Sequence, residues 1–315
     1  MGSRAVSEPR TGPSGAHYLL GHTESELERL DIQGVLYRDI TVRALTEAGV
    51  AAGMRVLDLG CGTGDVTLTA AELVGPSGSV LGIDRSPNGV EVARRHAVER
   101  GLDGRVDFLV GEIDELSEGA VDAIVGRFVL MHQSDPAATL RAAARALRPG
   151  GVVVMIESHM AILEKGEHSW PHSALYDRIV KWKSRVVGGA GADVGAGLRL
   201  RRTFLDAGLP EPRTRLEARI EGGPDSPYYH YVAESVRSML PEAARLGLGG
   251  FTSDDADTLA DRLRTEVVQA GGVLVVWPVV VAWSRGTHPA VGQATSSNST
   301  DSTSRSSRVR TSNRS

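Results

Sequence analysis

Apolar runs and helix-period segments alternate between residues 51 and 157. Five runs of mostly aliphatic residues predict buried β-strands, because about four to eight such residues between turn signals are typical of a parallel strand covered on both faces. The alternation predicts an α/β fold with a doubly wound, Rossmann-like sheet, whose ligand crevice lies at the carboxyl ends of the strands. The five predicted strands cover residues 56–59, 79–83, 106–110, 121–126 and 152–156.

The second half of the chain adds two predicted strands, at residues 214–220 and 279–283. Pro278 cannot donate a ladder hydrogen bond, so we expect it at the start of the last strand. The two strands should pair as an antiparallel edge hairpin and complete a mostly parallel seven-stranded sheet. Helix-period segments between 158 and 213, and between 228 and 268, predict helical lid insertions over the crevice.

Composition and periodicity divide the chain into five segments. Residues 1–15 and 286–315 are polar and lack periodicity, which predicts a disordered N-terminus and a disordered Ser/Thr/Arg tail. We expect an N-terminal helical cap over 16–50 and the ligand-binding core over 51–157. The lid and the last two strands should occupy 158–285.

A turn of three alternating glycines follows the first predicted strand. Gly60, Gly62 and Gly64 lack Cβ atoms, so the backbone can turn sharply and approach a ligand. The loop is not a dinucleotide fingerprint, because Asp65 stands in place of the third glycine, and it lacks the lysine of a P-loop. Together with Asp58 before the turn, Asp65 favours a ligand that carries positive charge.

Acidic residues follow the next two predicted strands. Asp84 lies about 20 residues beyond the loop, where a strand-end carboxylate can accept both hydroxyls of a ribose. Glu112 follows the third strand, and the sequence LRPGG at 147–151 precedes the fifth. This ordered set resembles the class I S-adenosylmethionine (SAM)-dependent methyltransferases, in the small-molecule branch similar to quinone-biosynthesis and bacterial natural-product methyltransferases.

The resemblance implies SAM as the cofactor and S-adenosylhomocysteine (SAH) as its product. It implies that Asp84 binds the ribose, that Glu112 binds the adenine amino group and that Ile113 packs on the ring. Tyr18 and Gln33 of the N-terminal segment would reach the methionine end. The predicted cofactor-binding residues are Asp58, Gly60, Cys61, Gly62, Gly64, Asp84, Arg85, Glu112, Ile113, Arg127, Tyr18 and Gln33.

Two histidines are candidate general bases. His132 follows the fourth strand, at the crevice, and an imidazole titrates near neutrality. His159, at the tip of the fifth strand, is the second candidate. A structural role for His132, and catalysis by proximity alone, are the alternatives. No spacing of histidines and carboxylates indicates a metal site.

Tyrosine, tryptophan and phenylalanine are concentrated outside the predicted core. Between Arg55 and Glu157 the only such residues are Phe108 and Phe128. The lid therefore supplies the flat rings that line pockets for organic ligands, although rings of this kind also pack helices together. The predicted acceptor-binding residues are Glu157, Trp170, Tyr176, Tyr228, Tyr229 and His230.

Charge and cysteine content narrow the choice of partners. A net charge of -4 without a basic face in the core disfavours nucleic acid. The single cysteine, Cys61, excludes an internal disulfide and a thiolate metal cluster. The longest apolar run, 273–283, is too short to span a bilayer. We expect a cytoplasmic protein with a small-molecule acceptor, no nucleic-acid or membrane partner, and an N-terminal helix that could form a homodimer.

These features predict a SAM-dependent methyltransferase that acts on a small organic molecule in secondary or cofactor metabolism. Oxygen is the favoured acceptor atom, with nitrogen or carbon as alternatives. Two other functions stay open: a SAM-fold enzyme that catalyses a non-methylating cyclisation, and a SAM-binding module without turnover. A nucleotide dehydrogenase is disfavoured by Asp65 and by the predicted antiparallel edge.

Overall fold

A computed structural model describes residues 24–112 and 117–286. The predictions for residues 1–15, for the tail beyond Gly286, for Tyr18 and for Ile113 lie outside these residues. The strands are β1 (Arg55–Leu59), β2 (Ser79–Asp84), β3 (Val106–Val110), β4 (Val121–Arg127), β5 (Leu147–Ser158), β6 (Ser169–Trp170), β7 (Arg213–Glu217), β8 (Ile220–Glu221), β9 (Val273–Val275) and β10 (Val279–Arg285). The helices are α1 (Glu24–Ala48), α2 (Asp65–Val74), α3 (Pro87–Glu99), α4 (Pro136–Ala144), α5 (Ala174–Gly189), α6 (Ala196–Asp206), α7 (Tyr228–Arg245) and α8 (Ser253–Gln269).

Seven strands form the main sheet, in the order β3, β2, β1, β4, β5, β10, β7. Strands β1 to β5 pair in parallel, whereas β10 is antiparallel to both β5 and β7. Helices α4 and α6 bury Leu140 and Phe204 against one face, while α1 and α2 bury Leu36 and Leu68 against the other. The predicted doubly wound, mostly parallel α/β fold is confirmed.

The strand register brings the functional segments to one edge of the sheet. Leu59 at the end of β1 pairs with Ile83 of β2 and with Gly126 of β4. The glycine loop, Asp84 and Arg127 therefore follow paired residues at the same level. All seven residues of β4 are buried, and five of them are apolar residues or glycine, as expected for a strand covered on both faces.

Polar caps fix several helix starts. Asp135 accepts a hydrogen bond from the Ala138 N–H, and Pro136 lies in the first turn of α4. Helix α5 begins at Ala174, because Trp170 belongs to β6 and Ser173 supplies the cap.

A second, three-stranded sheet in the order β6, β9, β8 was not predicted. Its strands have two or three residues each, too few for a visible alternation of apolar and polar positions. Helices α7 and α8 separate β7 from β10, so these paired strands are joined by a long connection rather than by a tight turn. Within the described ranges, no helix is long and apolar enough to cross a membrane.

Candidate active site

A cavity of about 690 Å³ lies at the carboxyl edge of the main sheet, within the size range of small-molecule sites. Its walls have two origins. The glycine loop and the ends of β2, β3 and β4 form one half of the cavity. Helices α1, α5 and α7 and the segment before β10 form the other half.

The glycine loop has a backbone that other residues adopt rarely. The φ angles of Gly60, Gly62 and Gly64 are 62°, 53° and 88°, all in the left-handed region. A Cβ atom at Gly60 would lie 2.6 Å from Val129 Cγ2. A Cβ at Gly62 would meet nothing closer than Leu30 Cδ1 at 4.0 Å, so Gly62 presents its backbone to open space in the cavity.

Asp84 is held by the same loop. Its Oδ2 accepts the Gly62 N–H at 2.9 Å, and its Oδ1 accepts the Ser86 N–H at 2.8 Å. Each carboxylate oxygen has a second acceptor position. Asp84 lines the cavity, so its two remaining positions can accept the two hydroxyls of a ribose.

An exposed ion pair lies next to Asp84. Arg85 Nη2 is 3.3 Å from Glu112 Oε1, both side chains are more than half exposed, and both residues line the cavity. Exposed pairs contribute little to stability, so this one can open for a ligand at small cost. Glu112 then has a free carboxylate in the cavity wall.

Arg127 and Asp65 form the floor between the two halves. Arg127 Nη2 donates to Asp65 Oδ2 at 2.5 Å, and its guanidinium stacks 5.7 Å from the Tyr37 ring. The neighbouring Phe128 has a φ of 59°, which costs about 1–3 kcal/mol for a non-glycine residue. Strain of this kind concentrates at ligand sites, and Phe128 also lines the cavity.

Asp58 was predicted to bind the cofactor, and the structure places it beneath the loop, outside the cavity lining. It is 1% exposed, and its Oδ2 accepts the Thr67 hydroxyl at 2.6 Å, which ties β1 to α2. Burial raises the pKa of Asp58 to about 8. Asp65 lies in the cavity wall instead.

The other two predicted loop residues differ in position. Gly64 lies outside the cavity lining, whereas Cys61 is part of it. Burial raises the pKa of the Cys61 thiol, so the thiol stays protonated.

Asp58 should make the stability of the protein depend on pH. Its folded-state pKa lies above its unfolded value of 3.8, so the folded state retains a proton that the unfolded state loses. The free energy of unfolding should therefore fall as the pH rises from about 5 to about 8, by at most ~1.4 kcal/mol per unit from this one group. Asp58→Asn cannot ionise and should show a shallower fall in urea denaturation, while the exposed control Asp103→Asn should keep the wild-type slope. Equal slopes for Asp58→Asn and the wild type would contradict the assignment.

The two predicted bases differ in position. His132 lines the cavity, and burial together with the nearby Arg29 lowers its pKa to about 4, so the imidazole is neutral at physiological pH. His159 lies outside the lining, where its side chain packs beside Gly197, because alternate residues of an extended strand face opposite sides. Ser158 faces the cavity in its place.

Glu157 was predicted to bind the acceptor, but it is fully buried and lies outside the cavity lining. Its Oε1 accepts the N–H groups of Val129 and Leu130 at 2.9 and 2.7 Å, and its Oε2 accepts that of Met131 at 3.3 Å. Glu157 therefore holds the backbone turn that follows β4 and does not face the cavity.

The predicted acceptor residues of the lid also lie outside the cavity lining. Trp170 is 68% exposed on β6 of the second sheet. The hydroxyls of Tyr176 and Tyr228 are 2.5 Å apart in the core, and Tyr229 packs against Arg264.

The remaining lid prediction, His230, lies at the surface. Its Nε2 is 2.7 Å from Glu28 Oε1. Glu234 adds a third potential ligand atom within 4.8 Å of the other two, a grouping of α1 with α7 that no sequence spacing reveals.

The residues of the acceptor half that were not predicted include Arg29, Lys183, Tyr231 and Trp277, which all line the cavity. Tyr231 stacks on Tyr228 with ring centroids 5.8 Å apart. Tyr228, the predicted residue, therefore packs behind Tyr231 and does not line the cavity. Gln33, placed near the cofactor by the sequence, accepts Arg29 Nη1–H at 2.7 Å and the Tyr231 hydroxyl at 3.3 Å. The sequence does contain a signal for Tyr231. It follows Tyr228 by three residues, so the two side chains lie on one face of the helix.

Comparison with known proteins gives a consistent result. Residues 51–191 match a family described as a methyltransferase domain. The chain is 41% identical over 192 residues to a ubiquinone biosynthesis O-methyltransferase of Xanthomonas axonopodis, covering 54% of this chain and 73% of that protein. It is 36% identical over 118 residues to a demethylmenaquinone methyltransferase of Lactococcus lactis, covering 37% and 46%. The YcgJ protein of Bacillus subtilis has a similar structure (TM-score 0.50, 18% identity, covering 79% and 99%).

The fold and the site define a class I SAM-binding α/β protein. The 41% identity across most of the Xanthomonas enzyme then gives the family: the chain belongs to the SAM-dependent methyltransferases, and its cofactor is SAM. The chain spans about half the length of other curated relatives that it matches, such as the Lactococcus enzyme.

The residues present fit this cofactor. Gly62 leaves room for a ligand against the backbone, and Asp84 keeps two acceptor positions for the ribose. The carboxylates of Asp65, Asp84 and Glu112 favour a ligand that carries an ammonium and a sulfonium group.

Proposed function

We propose that the protein transfers the methyl group of SAM to an oxygen atom of a small organic acceptor. The observation that carries the proposal is the continuity of the cavity from the glycine loop to Lys183, Tyr231 and Trp277. A cofactor held by the first half and an acceptor held by the second would share one continuous space. When bound, SAM supplies a methyl group already activated by its sulfonium.

The protein's own residues orient the two partners. Asp84 and Glu112 fix the nucleoside end of the cofactor, and the rings of Tyr231 and Trp277 offer flat apolar surfaces to the acceptor. Holding two reactants about 3–3.5 Å apart in line is itself a large part of catalysis for a displacement of this kind. The relative from Xanthomonas is named an O-methyltransferase, which supports oxygen as the acceptor atom.

The proposal places the reaction in secondary or cofactor metabolism, including natural-product biosynthesis, and in the cytoplasm, where SAM is available. The acceptor half supports a small molecule because the cavity of about 690 Å³ must hold both cofactor and acceptor. A homodimer through α1 stays a prediction from the sequence.

Calorimetric titration with SAM, SAH and NAD tests the cofactor site. We expect both adenosyl ligands to bind with micromolar or better affinity, since the site has preformed polar contacts for them, and we expect no heat from NAD. Acceptors are then screened by mass spectrometry for a gain of one methyl mass with an equal yield of SAH. Conversion of an acceptor without SAM consumption would favour the cyclisation alternative, and absence of binding by SAM and SAH would overturn the proposal.

A further inference from the structure

Lys183 is a buried amine in the wall of the cavity. It lies on α5, its residue is 2% exposed, and it lines the acceptor half. Its Nζ is 5.0 Å from the centroid of the Tyr231 ring and 5.1 Å from that of Trp277. Two aromatic surfaces therefore meet beside one nitrogen that can donate or accept a proton.

The charges around Lys183 are unbalanced. The ionisable groups that act on it are Arg29 and Glu26 from α1, and the ring of Tyr231 from α7 lies beside its Nζ. Glu26 is already engaged by Arg29, through bonds of 2.8 and 2.7 Å to Nε and Nη2. No carboxylate of the described residues forms an ion pair with Lys183. A protonated Lys183 would thus be a second cation beside Arg29.

A lysine at this position is chemically distinct from the other basic residues. Only Lys165, Lys181 and Lys183 are lysines among the 35 lysines and arginines of the chain. A guanidinium does not give up its proton in proteins, whereas a buried lysine does so readily. Burial and the repulsion of Arg29 lower the pKa of Lys183 well below its ordinary value, which is consistent with a neutral amine.

We propose that Lys183 is the general base for a phenolic acceptor, whose ring lies in the aromatic pocket formed by Tyr231 and Trp277. The inference rests on the proposed function and names its substrate class. Proton transfer breaks the O–H bond of the phenol and forms an N–H bond, which leaves an ammonium paired with a phenolate. The phenolate oxygen then forms the bond to the methyl carbon as the sulfur of SAM retains the electron pair of the broken S–C bond. The ammonium releases its proton to solvent as the methyl ether and SAH depart.

The pairing explains how Lys183 can act without an ion-pair partner among the described residues. The proton transfer creates a cation and an anion together, so charge balance is restored only when the right acceptor is present. An amine acceptor would create no anion, and an aliphatic alcohol is too weak an acid for a neutral lysine to deprotonate. Phenols are therefore the class that the cluster of Lys183, Tyr231 and Trp277 selects.

The first test is NMR of protein labelled with ¹³C at the lysine ε carbons, titrated in the presence of SAH. The three lysine signals are few enough to resolve, and Lys183→Met assigns the one of interest. We expect it to titrate at least roughly two pH units below the exposed Lys165 and Lys181 signals. Titration of all three signals together would overturn the proposal.

The second test uses 4-nitrophenol, whose phenolate absorbs visible light and whose phenol form does not. Below the solution pKa of the probe, the wild-type complex with SAH should bind it as the phenolate. Lys183→Met should lose that absorbance, whereas Lys181→Met, on the exposed side of the same helix, should keep it. Absence of probe binding by the wild type, or equal absorbance with Lys183→Met, would overturn the phenol assignment. Retained SAM binding in the variants would show that their cofactor site is intact. A negative result with the probe would then contradict the role of Lys183 and leave the proposed SAM-dependent function standing.

Discussion

Replacing Asp84 by alanine should weaken SAM binding about 100-fold or more. The carboxylate is expected to accept two ribose hydroxyls, and hydrogen bonds to a charged group contribute about 1.5–3 kcal/mol each. A loss of about 3 kcal/mol corresponds to roughly two orders of magnitude in Kd. The change also removes the acceptors of the Gly62 and Ser86 N–H groups, so the glycine loop loses its tie to β2.

Calorimetric titration with SAM measures the change in affinity, and two further variants serve as controls. Asp84→Asn keeps one acceptor oxygen and should lose less affinity than Asp84→Ala. Asp103→Ala removes an exposed aspartate outside the cavity and should bind SAM as the wild type does. Unchanged affinity in Asp84→Ala would refute the assignment of the ribose site to the end of β2.

Replacing Glu157 by alanine should lower the free energy of unfolding by about 3–5 kcal/mol. The substitution removes a fully buried carboxylate and leaves the N–H groups of Val129, Leu130 and Met131 without their acceptor. Each buried donor without a partner costs about 1–3 kcal/mol. Urea denaturation monitored by tryptophan fluorescence measures the change.

The matched variants separate a structural role from acceptor binding. Glu157→Gln keeps one oxygen for Val129 and Leu130 and should cost only about 1–2 kcal/mol. Glu99→Ala, at an exposed helix end, should leave stability unchanged. If Glu157→Ala were as stable as the wild type and lost only acceptor binding, the sequence-based role for Glu157 would have to be restored.

The cofactor half could be predicted because its determinants are local. A strand, a glycine turn and a helix follow one another within about 20 residues, and parallel register then brings Asp84 to the loop without further information. Asp58 shows the limit of such reasoning. The sequence places two carboxylates beside the loop, but only the packing of β1 against α2 decides that Asp58 is buried and that Asp65 faces the cavity.

The acceptor half could not be predicted because it depends on orientation rather than on composition. On β5 and just beyond it, Ser158 faces the cavity, while Glu157 and His159 face away, and a shift of one residue exchanges these sides. On α7, the aromatic cluster was recognised, but the helix turns Tyr231 toward the cavity and leaves Tyr228 behind it. Lys183 carried no motif, and its burial follows from the packing of α5 against α7.

The contacts of α1 determine the order in which the two halves of the cavity can form during synthesis. Arg29 and Gln33 reach Tyr231, and the Tyr37 hydroxyl donates to the Trp277 carbonyl at 2.9 Å, across 198 to 240 positions of sequence. During synthesis, α1 leaves the ribosome before its partners in α7 and in the segment that precedes β10. The glycine loop can therefore form while the chain is still growing, whereas the acceptor wall closes only when nearly all of the described chain has been made.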